Sequence, residues 1–160
     1  MRYVVPELGI EYIGGDIVKE MVVRNQQKFG ANNISFRHLN IVKDPLPASD
    51  LMMVRDCLLH LSYRDIFGFL ENFCSSDIGL LLTTTHLPDD GENHDIHTGR
   101  GRLIYLFSPP FFFPQPPLHR LSDWVPPYPK RELCLFTKSQ AEVAREAMKR
   151  FLSQHTGKLL

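Results

Sequence analysis

A chain of 160 residues with 43% hydrophobic and 22% charged side chains has the size and composition of one globular domain with a sizeable core. Eighteen Lys and Arg balance eighteen Asp and Glu, so no basic footprint for nucleic acid or an anionic membrane is expected. No apolar run is long enough to span a bilayer, no secretory signal opens the sequence, and three scattered cysteines, Cys57, Cys74 and Cys134, read as buried reduced thiols of a cytoplasmic protein.

In chain order, Met1 to Gly9 reads as the tail of a helix or a loop entering a strand. Ile10 to Ile13 is a short apolar strand that ends on Gly14-Gly15-Asp16, a turn. Ile17 to Phe29 has helical spacing, with Asp16 as its cap and Gly30 as its stop. Ile34 to Leu39 alternates as a second strand, and Asp44-Pro45-Leu46-Pro47 is a rigid loop. Leu51 to Val54 is a third strand. Tyr63 to Cys74 is a helix whose apolar face carries Ile66, Phe67, Leu70 and Phe73, and Ile78 to Thr85 is a fourth strand. Residues 86–117 form an insertion, first polar and exposed over His86 to Gly101, then rich in proline and phenylalanine. Ser108 to Pro117 cannot be helical, and its aromatic rings predict an extended stretch packed on the domain. Leu118 to Trp124 and Glu132 to Phe136 are late strands, and a helix over 139–154 starts from Ser139 with Glu142 completing a capping box. Strands alternating with helices predict an α/β fold, mostly parallel, with crossover helices on both faces of one sheet.

Tyr12 to Val18, Leu39 to Ile41 with Asp44 to Pro47, Asp50 to Ser62, Leu80 to Thr85, Asn93 to Gly99 and Pro109 to Phe111, six segments in order, resemble class I S-adenosylmethionine-dependent methyltransferases of a mainly bacterial subgroup. Tyr12-Ile13-Gly14-Gly15-Asp16-Ile17-Val18 is similar to the end of that family's second strand. Leu39-Asn40-Ile41 with Asp44-Pro45-Leu46-Pro47 is similar to its third, and Asp50 to Ser62, through Arg55-Asp56 and His60, to its fourth. Leu80 to Thr85, Asn93 to Gly99 and Pro109-Pro110-Phe111 resemble the fifth strand and the insertion after it. The resemblance covers about Tyr12 to Phe136. It implies a Rossmann-like sheet, incomplete at its first strand, because the family's first strand and glycine-rich cofactor loop would precede this sequence. The chain is thus read as a single methyltransferase-like domain, N-terminally truncated.

The resemblance implies S-adenosylmethionine as cofactor, provided that the missing segment is supplied, and methyl transfer to an unknown O or N nucleophile. Asp16, a carboxylate at the carboxyl end of a parallel strand, can accept hydrogen bonds from both ribose hydroxyls, or it can simply cap the following helix. Ile17 would pack on the adenine. Asn40 stands where the family usually has Asp at the adenine amino group, with the Ile41 backbone sharing the task; the alternative is a turn asparagine. Arg55 and Asp56 close the third visible strand at the edge where open α/β sheets bind ligands. Asp56 and His60, four residues apart, would share one helical face and orient a nucleophile or take its proton, or else cap and stabilise the first helical turn.

His86, Asp89, Asp90, His94, Asp95 and His97 are ligand-type residues without a recognised metal spacing, so a solvated lid is preferred to a metal site. Phe111-Phe112-Phe113 is expected to fill the core ahead of stacking on substrate. The rival function is a catalytically inactive interaction module. Without the family's first strand, the edges of Ile10 to Ile13 and Leu51 to Val54 are expected to close on each other, recruit Met1 to Val5, or drive self-association. A metal-dependent hydrolase using the His/Asp loop is a third reading.

Overall fold

The computed structural model describes residues 9–155, which fall into two compact units divided between Pro47 and Ala48. Met1 to Val5, expected as a possible substitute strand, lies outside the described residues.

The first unit is a β-α-β element. β1 (Tyr12–Asp16) and β2 (Ile34–His38) pair in parallel, with Gly14 opposite Phe36 and Asp16 opposite His38, and α1 (Lys19–Phe29) crosses between them. Gly14 and Gly15 therefore belong to the strand, where a turn was expected. The reason is close packing: a Cβ on Gly14 would lie 2.5 Å from Phe36 Cδ1, and one on Gly15 would lie 2.9 Å from Leu39 Cδ2. Gly30 ends α1 as expected, its N–H donating to the Gln26 carbonyl at 3.0 Å. The Gln26 side chain reaches from helix to strand and accepts from Phe36 N at 2.8 Å.

The second unit holds a four-stranded sheet in the order β3 (Leu51–Val54), β4 (Leu80–His86), β6 (Arg131–Thr137), β5 (His119–Ser122). β3 and β4 are parallel, whereas β6 is antiparallel to both of its neighbours. β3, β4 and β5 consequently run one way and β6 alone runs back. The sheet is mostly parallel in strand direction, as expected for the α/β fold.

α2 (Tyr63–Ser75) is the crossover from β3 to β4, and α3 (Lys138–Gln154) follows β6 and packs against α2. Ile66, Phe69, Leu70 and Phe73 on α2 meet Ala141, Ala144 and Met148 of α3 in a core completed by Leu81 and Phe136. Phe69 takes the buried place expected for Phe67, which is half-buried. The proline-phenylalanine stretch packs on the domain as expected. Phe111 and Phe113 are buried, and the Phe113 ring lies 4.6 Å from that of Phe136. Phe112, with φ of 47°, is left outside.

The cap of α3 is Thr137. Its hydroxyl accepts from Gln140 N at 3.2 Å, and Gln140 Oε1 accepts from Thr137 N at 3.0 Å. This capping box lies two residues before the Ser139–Glu142 pair because β6 runs into α3 without a loop. No helix among the described residues is long and apolar enough to cross a membrane.

Candidate functional site

Each unit places its candidate residues at the carboxyl ends of its own parallel strands, the edge at which open α/β sheets bind ligands. In the first unit Asp16 ends β1, and its backbone carbonyl accepts from Leu39 N at 2.9 Å. The N-cap of α1 is Val18, with no side-chain cap, and not Asp16 as expected: Asp16 Oδ1 accepts from Val18 N at 2.8 Å in a turn that leads into the helix, which leaves Oδ2 without a partner among the described residues. Ile17 is 60% exposed, and its carbonyl accepts from His38 Nε2 at 3.0 Å, so the side chain projects from a pinned backbone. Asn40 is half-buried after β2. Its Oδ1 accepts from Val42 N at 3.0 Å, and its own N–H donates to Asp44 Oδ2 at 2.8 Å. Asn40 is thus an Asx-turn residue, and of its side chain the amide nitrogen remains for a ligand. Ile41 follows it, half-buried.

In the second unit Arg55 and Asp56 follow β3. Arg55 Nε and Nη2 grip the two oxygens of Asp123 at 3.0 and 3.1 Å, and this partner raises the guanidinium's pKa. Asp56 has φ of 51°, in the left-handed region, so the chain turns there and does not begin an α-helix. Its N–H donates to Thr84 Oγ1 at 2.9 Å, while its carboxylate lies 3.2 Å from Arg131 and 3.7 Å from Arg55. Arg131 also reaches Asp123, at 3.1 Å. Two arginines and two carboxylates therefore form one partly exposed network, each pair of which is worth about 1 kcal/mol or less.

His60 lies at the end of a short 3-10 turn (Leu58–His60), not on an α-helical face shared with Asp56. The left-handed turn at Asp56 is what separates them. His60 Nδ1 lies 2.8 Å from the Arg100 carbonyl, which can only accept, so Nδ1 carries a proton, and in the neutral ring the lone pair is on Nε2. The imidazole is exposed. An exposed Nε2 lone pair on a ring held by a backbone carbonyl is the tautomer that a general base requires.

Sequence reasoning missed the surroundings of this edge. Thr83, Thr84 and Thr85 are buried, and each hydroxyl is used: Thr83 donates to the Val54 carbonyl, Thr84 accepts from Asp56 N, and Thr85 accepts from Leu106 N. His86, 5% exposed, ends β4. Its Nδ1 lies 3.2 Å from Ile104 N, which donates to it, and burial, with the nearby Arg131 charge, pulls its pKa down from the ordinary value. A run of threonines ending in histidine was visible as the end of a strand, but nothing in it announced these partners.

The polar stretch after β4 is also less exposed than expected. Asn93 donates to the Tyr105 and Pro109 carbonyls at 2.9 and 2.8 Å, and Asp95 Oδ1 accepts from Tyr63 N and Ile96 N at 2.7 and 2.8 Å. Its side chains fasten the loop to the unit instead of solvating a lid. Among the described residues no group of His, Cys, Asp and Glu is placed to hold a metal ion.

No family model matches the chain, and no curated protein matches it. Solved structures do. SibL, an S-adenosylmethionine-dependent methyltransferase in its apo form, aligns with a TM-score of 0.50 and 11% identity over 78% of this chain and 42% of its own. The PH0226 protein from Pyrococcus horikoshii OT3 aligns with a TM-score of 0.52 and 11% identity over 84% of this chain and 74% of its own. Human N-acetylserotonin methyltransferase, bound to S-adenosylmethionine, gives a TM-score of 0.49 and 15% identity over 78% of this chain and 39% of its own. The chain spans less than half the length of either methyltransferase. At such identities the likeness is one of fold, and the chain carries the Rossmann-like α/β fold found in the methyltransferase SibL.

Proposed function

We propose that this chain is part of a methyltransferase domain that, with the family's first strand and glycine-rich loop supplied, uses S-adenosylmethionine to methylate an O or N nucleophile. The reading is carried in each unit separately: Asp16 ends β1 with one free carboxylate oxygen, and His60, in the 3-10 turn after β3, holds its Nδ1–H on the Arg100 carbonyl. The first suits a nucleoside ribose. The second suits removal of a proton from a hydroxyl or amine.

The residues of the first unit fit the adenosine side of the cofactor. Asp16 would accept from the ribose hydroxyls, Ile17 would cover the adenine, and the Asn40 amide nitrogen would donate to a ring nitrogen with the Ile41 backbone beside it. The cofactor would supply an electrophilic methyl group. His60 would take the acceptor's proton at Nε2 while its Nδ1–H stays on the Arg100 carbonyl. Asp56, held by Arg131 and Arg55, would fix the charge at the end of β3 and orient the acceptor, with Arg55 completing that edge. Holding the two reactants in line supplies most of the acceleration in such a transfer.

The test is a methyl-labelled cofactor offered with phenol, carboxylic acid and amine acceptors to the chain and to His60→Gln. Label transferred by the first and lost in the second supports the reading. No label in any acceptor, together with no cofactor binding by either protein, would favour the interaction module.

A further inference from the structure

We infer that Arg102 is a positioning residue for His60, acting through the segment Asp95–Arg102, which is hydrogen-bonded along the turn that carries the imidazole. The inference rests on the reading of His60 as the base, and it concerns how that base is held in one tautomer.

The ties between the two segments are continuous. Arg102 N donates to the Leu59 carbonyl at 3.2 Å, Gly99 N to the His60 carbonyl at 2.8 Å, and Arg102 Nη1 to the Leu61 carbonyl at 2.8 Å. In the other direction Ser62 N donates to Thr98 Oγ1 at 2.9 Å and Tyr63 N to Asp95 Oδ1 at 2.7 Å. Thr98 in turn donates to Asp65. Every residue from Leu59 to Tyr63 is thereby gripped through its backbone. The Arg100 carbonyl lies within this brace, between the ties made by Gly99 and Arg102, and receives the His60 Nδ1 proton.

Arg102 is an expensive way to make such a brace. Its side chain is 7% exposed, yet Nε and Nη2 have no hydrogen-bond partner, and the face of Tyr63, 5.2 Å away, offers the cation only partial compensation. Burial lowers its pKa, as expected for a charge withdrawn from water. What only the guanidinium supplies is a donor to Leu61 on the far side of His60 from the Leu59 tie. Held at both flanks, the turn keeps the His60 backbone where its ring reaches the Arg100 carbonyl.

The experiment reads the His60 ring nitrogens by 15N NMR in the ligand-free 160-residue chain, with His60→Gln identifying the resonances. The ring should be a single Nδ1–H tautomer in the unmodified chain, a mixture of tautomers in Arg102→Met, and a single tautomer again in Arg102→Lys, which keeps a donor for Leu61. A lower melting temperature in Arg102→Met with an unchanged tautomer would make Arg102 merely structural and overturn the inference. Should Arg102→Met fail to fold, Gly99→Ala strains the brace at a position where φ is 96° and nothing lies within 4 Å of the added methyl. It should also mix the tautomers, and an unchanged ring there would overturn the inference equally. The readout needs neither cofactor nor acceptor, so failure of methyl transfer and failure of this inference are separate results.

Discussion

Asp16 has two tasks in this account, and two substitutions separate them. Its Oδ1 receives Val18 N at 2.8 Å at the start of α1, and Oδ2 remains for a ribose. Asp16→Ala removes both oxygens. Loss of the turn bond to Val18 N should cost about 1 kcal/mol of stability, and loss of charge-assisted bonds to the ribose about 1–3 kcal/mol of binding. The second figure corresponds to a rise in Kd of about 5- to 150-fold. Asp16→Asn keeps an oxygen for Val18 N but loses the charge, so its melting temperature should stay near that of the unmodified chain while Kd rises about fivefold. Calorimetric titration with S-adenosylhomocysteine, beside thermal unfolding of all three proteins, reads both quantities. If Asp16→Ala melts early but binds as tightly as the unmodified chain, Asp16 serves only the turn into α1 and the ribose assignment fails.

Other consequences are independent of the cofactor. Gly14→Ala should lower the unfolding free energy by about 1–3 kcal/mol, read from denaturant unfolding, because its methyl would meet the Phe36 ring at 2.5–2.6 Å; a neutral result would show that the ring moves aside freely. His86 is held neutral with its folded pKa below the ordinary 6.5, so its contribution is complete above that value and is lost as pH falls through 6.5 toward the folded pKa. Denaturant midpoints between pH 7.5 and 5 should fall more steeply for the unmodified chain than for His86→Gln, and parallel slopes would contradict this. Burial pushes the Cys134 thiol up to about 12 and raises that of Cys74, so neither should react with iodoacetamide at pH 8 until the chain unfolds. Rapid alkylation of native Cys134 would show that β6 opens.

Much of the fold was legible because its periods are clean. Ile66, Leu70 and Phe73 marked the buried face of α2, and Leu80 to Thr85 marked β4. The failures have local physical causes. Gly14-Gly15 reads as a turn by composition, yet the glycines lie in β1 because Phe36 and Leu39 occupy the space that side chains would fill. Asp56 and His60 have helical spacing, but a left-handed residue at Asp56 breaks the helix before it starts. Asp16 and Asn40 were recognisable as strand-end polar residues, whereas the commitment of Asn40 Oδ1 to Val42 N depends on how the turn closes. The partners of Arg55 and His60 lie 68 and 40 residues away in sequence, a separation that no local pattern reports.

The central claim is that the adenosine side of S-adenosylmethionine binds at the carboxyl ends of β1 and β2. Amide chemical-shift mapping detects even weak binding there. Titrating the 15N-labelled chain with S-adenosylmethionine should move the amides of Gly15, Asp16, Ile17, Asn40 and Ile41 with one common affinity, and adenosine should move the same set. Amides at these positions that stay still at millimolar cofactor, or shifts confined to other surfaces, would contradict the claim.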